Sequence, residues 1–169
     1  MLPDFQLKLR HLAPQNASHE WQVLRDMRLN ALRESPLSFL AKYDQEEKYS
    51  PERWQAEFDR GDWIVGELDG ERVSLTGVTR ESGAPADERY LEYVWVAPEF
   101  RKQRIAFDML TDIIGELKDS GVQTVFLWIL DGNDPARKLY KRLGFVTTKQ
   151  RQELESDPGR YEERFRQYL

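Results

Sequence analysis

A chain of 169 residues with no cysteine and a formal net charge of −5 is close to the ~100–150 residues of one domain, and it excludes disulfide frameworks, thiol nucleophiles and thiolate metal sites. Its 40% apolar residues, with five Trp, seven Tyr and eight Phe, suffice for a packed core, so residues 1–169 are read as a single domain. The acidic balance argues against nucleic acid, which requires a basic face, and suits a cationic partner such as an amine. His11 and His19 lack metal-ligand spacing, so no metal is expected.

Residues 1–6 have neither the basic segment nor the apolar run of a secretory signal, and no stretch reaches the ~18 apolar residues of a membrane span. The expectation is a cytoplasmic protein with no membrane partner. Residues 5–9 alternate Phe5, Leu7 and Leu9 with Gln6 and Lys8, the period of a half-buried strand. Trp21, Leu24, Met27, Leu29, Ala31 and Leu32 then recur at near-helical spacing up to Ser35-Pro36, where the residue before proline resists the α region. A helix is predicted over residues 18–34. Residues 39–48 are charged and weakly periodic, compatible with helix, loop or lid.

Ser50-Pro51-Glu52 has the form of a helix start, with serine as cap and proline in the first position, and Trp54 and Phe58 fall four apart on one face. That helix runs to about Gly61. Residues 63–68, the Asp69-Gly70 turn and residues 73–79 read as a hairpin, followed by a polar loop over 81–88 and a strand over 90–96 that Ala97-Pro98 stops. Ile105, Met109, Leu110, Ile113, Ile114 and Leu117 mark a helix ending before Ser120-Gly121. Residues 122–130 are almost continuously apolar, as in a strand buried on both faces. Residues 131–135, Asp-Gly-Asn-Asp-Pro, open a helix continued by Leu139, Tyr140 and Leu143 to Gly144. One strand begins at residues 145–148, and residues 161–169 are placed to close the sheet.

Chemistry concentrates in residues 91–145. A strand followed by a basic turn and then a helix presents unpaired N–H groups and a positive dipole end, which together bind phosphate oxygens. Arg101, Lys102 and Arg104 stand in that turn, although a solvated basic surface explains the same residues when they are taken alone.

The run Leu91-Glu92-Tyr93-Val94-Trp95-Val96-Ala97-Pro98-Glu99-Phe100-Arg101-Lys102-Gln103-Arg104-Ile105-Ala106 resembles the strand and pyrophosphate loop of the GNAT superfamily of acyl-CoA-dependent N-acyltransferases, whose pattern is [Q/R]-x-x-G-x-[G/A]. Asn133-Asp134-Pro135-Ala136-Arg137-Lys138-Leu139-Tyr140-Lys141-Arg142-Leu143-Gly144-Phe145 resembles that superfamily's later motif, N-x-x-A-x-x-x-Y-x-x-x-G-F. The resemblance implies an α/β (α+β) fold with a mixed, mostly antiparallel sheet of six to seven strands and about four helices. It also implies transfer of acetyl from acetyl-CoA, as co-substrate, to the primary amine of a small molecule or peptide. Pairing of the chain with itself is left open.

Carried over by position, Val94 and Val96 would offer backbone groups to the pantetheine arm where adjoining strands part. Arg101, Lys102, Gln103, Arg104, Ile105 and Ala106 would face the pyrophosphate, and Asn133 and Ala136 would contact the cofactor. Tyr140 would donate a proton to the departing thiolate; its alternative is a core aromatic, and that of Asn133 is a helix cap. Glu92, expected on the same side as Val94 and Val96 by period two, is the candidate base, with Glu67 and Glu88 behind it. Trp21, Phe39, Tyr43 and Trp54 are candidates for the acceptor groove, though ordinary burial would take most of them into the core.

The departure lies at Arg104, which replaces the central motif glycine, and at Lys102, where a further glycine is common. One reading gives the turn helical angles, so that Arg104 needs no positive φ and its side chain swings out or embraces phosphate. The other has the side chain blocking close approach, which would leave a noncatalytic acyl-CoA-binding or regulatory module.

Overall fold

The computed structural model describes residues 6–13, 19–38 and 42–169. In chain order the elements are β1 (Lys8–His11), α1 (Glu20–Glu34), α2 (Tyr43–Glu46), α3 (Pro51–Asp59), β2 (Gly61–Leu68), β3 (Glu71–Thr79), β4 (Glu88–Val96), α4 (Ile105–Asp119), β5 (Thr124–Leu130), α5 (Asp134–Arg142), β6 (Val146–Glu153) and β7 (Tyr161–Tyr168). They form one seven-stranded sheet in the order β1-β2-β3-β4-β5-β7-β6. Every pairing is antiparallel except that of β4 with β5. This is the mixed, mostly antiparallel sheet expected, with five helices described rather than four.

Local chemistry explains most boundaries. The Ser50 side chain accepts from the Arg53 N–H at 3.3 Å and Pro51 occupies the first turn of α3. The β2–β3 hairpin turns through Asp69 and Gly70, both at positive φ, as a two-residue connection requires. The first strand starts at Lys8, not residue 5, which lies outside the described residues, as does residue 18 at the expected start of α1. The weakly periodic segment holds the single-turn α2, with residues 39–41 outside the description. The last strand joins the sheet between β5 and β6.

Helices cover both faces. Met109, Leu110 and Ile113 of α4, together with Tyr140 and Phe145, pack on Leu91, Val125, Leu127 and Phe165. Leu24, Met27 and Ala31 of α1 and Phe58 of α3 pack on Trp63, Val65, Leu75 and Trp95. Among the described residues no helix is long and apolar enough to cross a membrane.

Two irregularities of β4 matter for the site. Leu75 pairs with Trp95 but Gly77 pairs with Glu92, so β4 spends three residues where β3 spends two, a β-bulge; Tyr93, within it, has φ +58°. Space for this is tight, since a Cβ on Gly77 would lie 2.4 Å from the Trp63 ring. Further on, β4 and β5 are in register only from Glu88 with Thr124 to Tyr90 with Phe126. Beyond Tyr90 the two strands part, leaving backbone groups along their facing edges without a ladder partner.

Candidate active site

The bulge reverses the alternation on which the reading of Glu92 rests. Leu91 and Val94 both meet the α4–α5 side of the sheet, and Val96 packs on Ile105. Glu92 and Tyr93 turn to the α1–α3 side. There Arg60 bonds Glu92 at 2.5 Å and Glu57 at 2.6 Å. The Tyr93 hydroxyl donates to Glu57 at 2.6 Å, and the Arg28 guanidinium lies 3.7 Å from the Tyr93 ring centroid while pairing with buried Glu46 at 3.0 Å. Glu92 therefore does not share a side with Val94 and Val96, and its carboxylate is engaged by Arg60. Glu67 pairs with Arg10 near the sheet edge, and Glu88 sits at the closed end of the gap between β4 and β5.

The loop after β4 makes a 3-10 turn at Pro98–Phe100 and then takes two left-handed residues, Lys102 at φ +61° and Arg104 at φ +66°. The expectation of helical angles at Arg104 is thus overturned: the backbone adopts the conformation that glycine would take, at a cost of roughly 1–2 kcal/mol for each side chain-bearing residue. The reward is the geometry of the helix start. Arg104 is the N-cap of α4 without a side-chain cap, and the N–H groups of Arg104, Ile105, Ala106 and Phe107 have no hydrogen-bond partner among the described residues. Four free donors at the positive end of a 15-residue helix form an anion site.

Arg101 behaves differently from its neighbours. Its Nε donates to the Val96 carbonyl at 2.9 Å, and its other nitrogens bind Glu34 at 3.1 and 2.5 Å, fastening the loop to the end of α1. Burial works against the Glu34 charge, but hydrogen bonds from Arg101, Ser35 and Trp95 outweigh it and hold that carboxyl below its usual range. Gln103 reaches back to the Glu99 carbonyl at 3.2 Å.

Beside the free N–H groups lies a cleft of about 360 Å³, lined among others by Val96, Lys102, Arg104, Phe107, Leu139 and Arg142. Ile105, Ala106 and Pro135 also border it. The Asn133 side chain caps α5, accepting from the Ala136 N–H at 3.3 Å, so the capping alternative is realised and its amide NH₂ is left to donate. Tyr140 is buried, 7% exposed, with its ring edge-on to Phe145 at 5.7 Å. Its hydroxyl has no partner among the described residues, and burial pushes the phenol above its ordinary range, so it is protonated at neutral pH.

A second cavity, of about 440 Å³, opens between the end of α1, α2 and the β6–β7 connection, with Leu32, Pro36, Tyr43, Leu154, Asp157 and Arg160 in its wall. Of the aromatics expected at an acceptor groove only Tyr43 lines it. Trp54 is 1% exposed in the core, Trp21 packs on the α1–α3 cluster, and Phe39 lies outside the described residues. Sequence reasoning also missed Glu162, 5% exposed on β7 and opposite Leu130. Phe165 packs on the α4–α5 side and Glu163 pairs with Arg137 of α5, so alternation turns Glu162 to the other side. Burial raises its carboxyl, against the lowering effect of the Gln152 amide that donates to it at 2.6 Å. No local signal marks it, since a period of two groups Glu162 with Arg164 and Arg166 on a polar side of the strand. Among the described residues no group of acids or histidines is placed to hold a metal.

The sequence profile of the acetyltransferase (GNAT) family matches residues 21–145. A mycothiol acetyltransferase of Thermobifida fusca is 28% identical over 109 residues, 64% of this chain and 33% of that protein, so the chain spans about a third of that relative's length. Among solved structures, the ribosomal-protein-S18-alanine N-acetyltransferase of Escherichia coli superposes with a TM-score of 0.70 at 15% identity, covering 97% of this chain and 94% of that one. A Bacillus subtilis acetyltransferase in complex with CoA gives 0.68 at 14%, covering 97% and 99%.

Proposed function

Because the chain belongs to the acetyltransferase (GNAT) family, we propose that it transfers an acetyl group from acetyl-CoA directly to a primary amine. The observation that carries this reading is the continuity of the opening between β4 and β5 with the cationic cleft and free N–H groups at the start of α4. The residues present fit coenzyme A: an extended amide-bearing arm suits unpaired strand edges, and a diphosphate suits a helix start flanked by Lys102 and Arg104. Acetyl-CoA supplies a thioester already activated toward an amine.

In this proposal the backbone at Val94 and Val96 orients the arm, and N–H groups along the open edge of β4 steady the carbonyl oxygen as charge develops on it. The unpaired Tyr140 hydroxyl donates to the departing sulfur. Proton removal from the amine falls to Glu162 rather than Glu92, since Glu162 is buried beside the open end of β5, carries no cation among the described residues, and has its carboxyl raised by burial. The acceptor, a small molecule or peptide amine, enters by the cavity at Tyr43 and Leu154.

The test is thiol release from acetyl-CoA across a panel of small amines and peptides with free N-termini, run alongside calorimetry. Heat of binding together with release for some acceptors is expected. Binding without release for any amine would favour a noncatalytic module, and no binding at all would remove both readings.

A further inference from the structure

We propose that the cavity at the end of α1 selects an apolar α-amino acid as acceptor, with Arg33 holding its carboxylate while Glu162 meets its amine; this rests on the acetyl-transfer reading above and narrows its substrate. The wall combines Leu32, Pro36, Leu154 and the ring of Tyr43 with charged groups, Arg33, Lys42 and Arg160 against Asp44 and Asp157. Three cations to two carboxylates reverse the balance of a chain whose net charge is −5. A bound molecule responds to the charges nearest it, since those farther off are screened.

The two carboxylates do not neutralise Arg33. Asp157 is taken by Arg160 at 3.2 Å, and the same guanidinium donates to the Leu37 carbonyl at 3.1 Å, tying the chain after α1 to the β6–β7 connection. Asp44 stands two residues from Lys42. Arg33 makes no ion pair among the described residues. Its guanidinium carbon lies 4.7 Å from the Tyr43 ring centroid, and one nitrogen donates to the Tyr43 hydroxyl at 2.6 Å. Those contacts restrict the fork while using few of its donors, and a restricted fork is what takes a carboxylate through two parallel bonds. A helix C-terminus favours a cation, which accounts for an arginine in the last turn of α1 but not for its place in a cavity wall beside two further cations.

Strand pairing sets the distance from the anion to the amine. Gln152 pairs with Glu162, and the Leu154 N–H donates to the Arg160 carbonyl at 2.9 Å. The pair Leu154 and Arg160 therefore follows the pair Gln152 and Glu162 on the same side of the two strands, one step of roughly 6.6 Å away. The cavity wall begins one step from the proposed base, on the side that α1 covers. A small molecule lying across that step presents its amine to Glu162, its carboxylate to the cationic wall and its side chain to Leu32, Pro36 and Leu154. A peptide N-terminus has an amide where that carboxylate stands, and a diamine brings a further cation among three.

Rates of thiol release from acetyl-CoA with leucine, leucinamide, isopentylamine and putrescine decide the matter, on the wild type and on Arg33→Gln and Arg33→Lys. The wild type should show a kcat/KM for leucine about tenfold or more above that for isopentylamine, with putrescine the poorest acceptor. Leucine should also exceed leucinamide, although the amide, without a neighbouring carboxylate, gives up its ammonium proton more readily. Arg33→Gln should remove the leucine preference through a KM raised about tenfold rather than through kcat, and Arg33→Lys should restore part of it. Coenzyme A affinity by calorimetry, unchanged in both, reports that the variants are folded. Leucine no better than any of the other three overturns the amino-acid assignment and leaves acetyl transfer standing, as do an Arg33→Gln protein that keeps the preference and thiol release seen only with other amines. Coenzyme A binding without release for any amine, or no binding at all, removes acetyl transfer and this assignment together.

Discussion

Tyr140 and Glu162, the proposed acid and base, are both buried side chains. Removal from water raises both the phenol and the carboxyl above their ordinary ranges, which keeps the Tyr140 hydroxyl a donor. Tyr140→Phe should lower kcat by about 10²-fold or more with coenzyme A affinity unchanged; an unaltered kcat would take Tyr140 out of the mechanism. Glu162→Gln should lower kcat and flatten the acid limb of its pH profile, whereas Glu92→Gln should mainly lower stability by freeing Arg60, and the reverse pattern would return the base role to Glu92. A different pH effect attaches to His11, whose ring bonds Asp62 at 3.0 Å and Glu116 at 2.9 Å. Burial opposes its charge, but the two carboxylates prevail and raise its pKa. Its contribution to stability is therefore complete below the unfolded value of about 6.5 and fades as pH climbs through the folded value. The difference in urea midpoint between wild type and His11→Gln should shrink as pH rises from 6 to 8; a gap that grows would contradict this.

The elements show where side-chain patterns inform and where they fall silent. Caps and turns were legible because each rests on local chemistry: Ser50-Pro51, Asp69-Gly70 and Asn133 with Pro135 all end or begin an element where expected. The bulge was not, because its extra residue is Tyr93 rather than glycine, and residues 91–96 read as an ordinary β-branched and aromatic strand. The consequence fell on Glu92, whose side of the sheet depends on a strict period of two. The left-handed loop escaped for a related reason, since Lys102 and Arg104 carry none of the marks of positive φ that glycine does. Arg104→Gly should accordingly raise unfolding stability by about 0.5–1 kcal/mol, the relief of the left-handed penalty less the flexibility glycine adds to the unfolded chain. A loss of stability in urea would mean that the packing of Arg104 over Phe107 outweighs the backbone term.

At the scale of the whole molecule, the family and the mixed sheet could be read from two motifs, but strand order could not. Nothing in residues 146–168 marks β7 for the interior and β6 for the edge; the long β5–β7 register from Thr124 with Tyr168 to Leu130 with Glu162 is set by packing between distant segments. That insertion places Glu162 beside the end of β5 and turns the β6–β7 connection toward the cavity at Tyr43, so part of the site depends on a tertiary arrangement without local signature. The site as a whole is an opening in one sheet that continues into the start of one helix. Backbone amide hydrogen exchange with and without acetyl-CoA tests that description most directly. Slowed exchange in two separate segments, residues 91–96 and residues 104–107, is predicted on adding the ligand; protection confined to other parts of the chain, or none at saturating ligand, would contradict it.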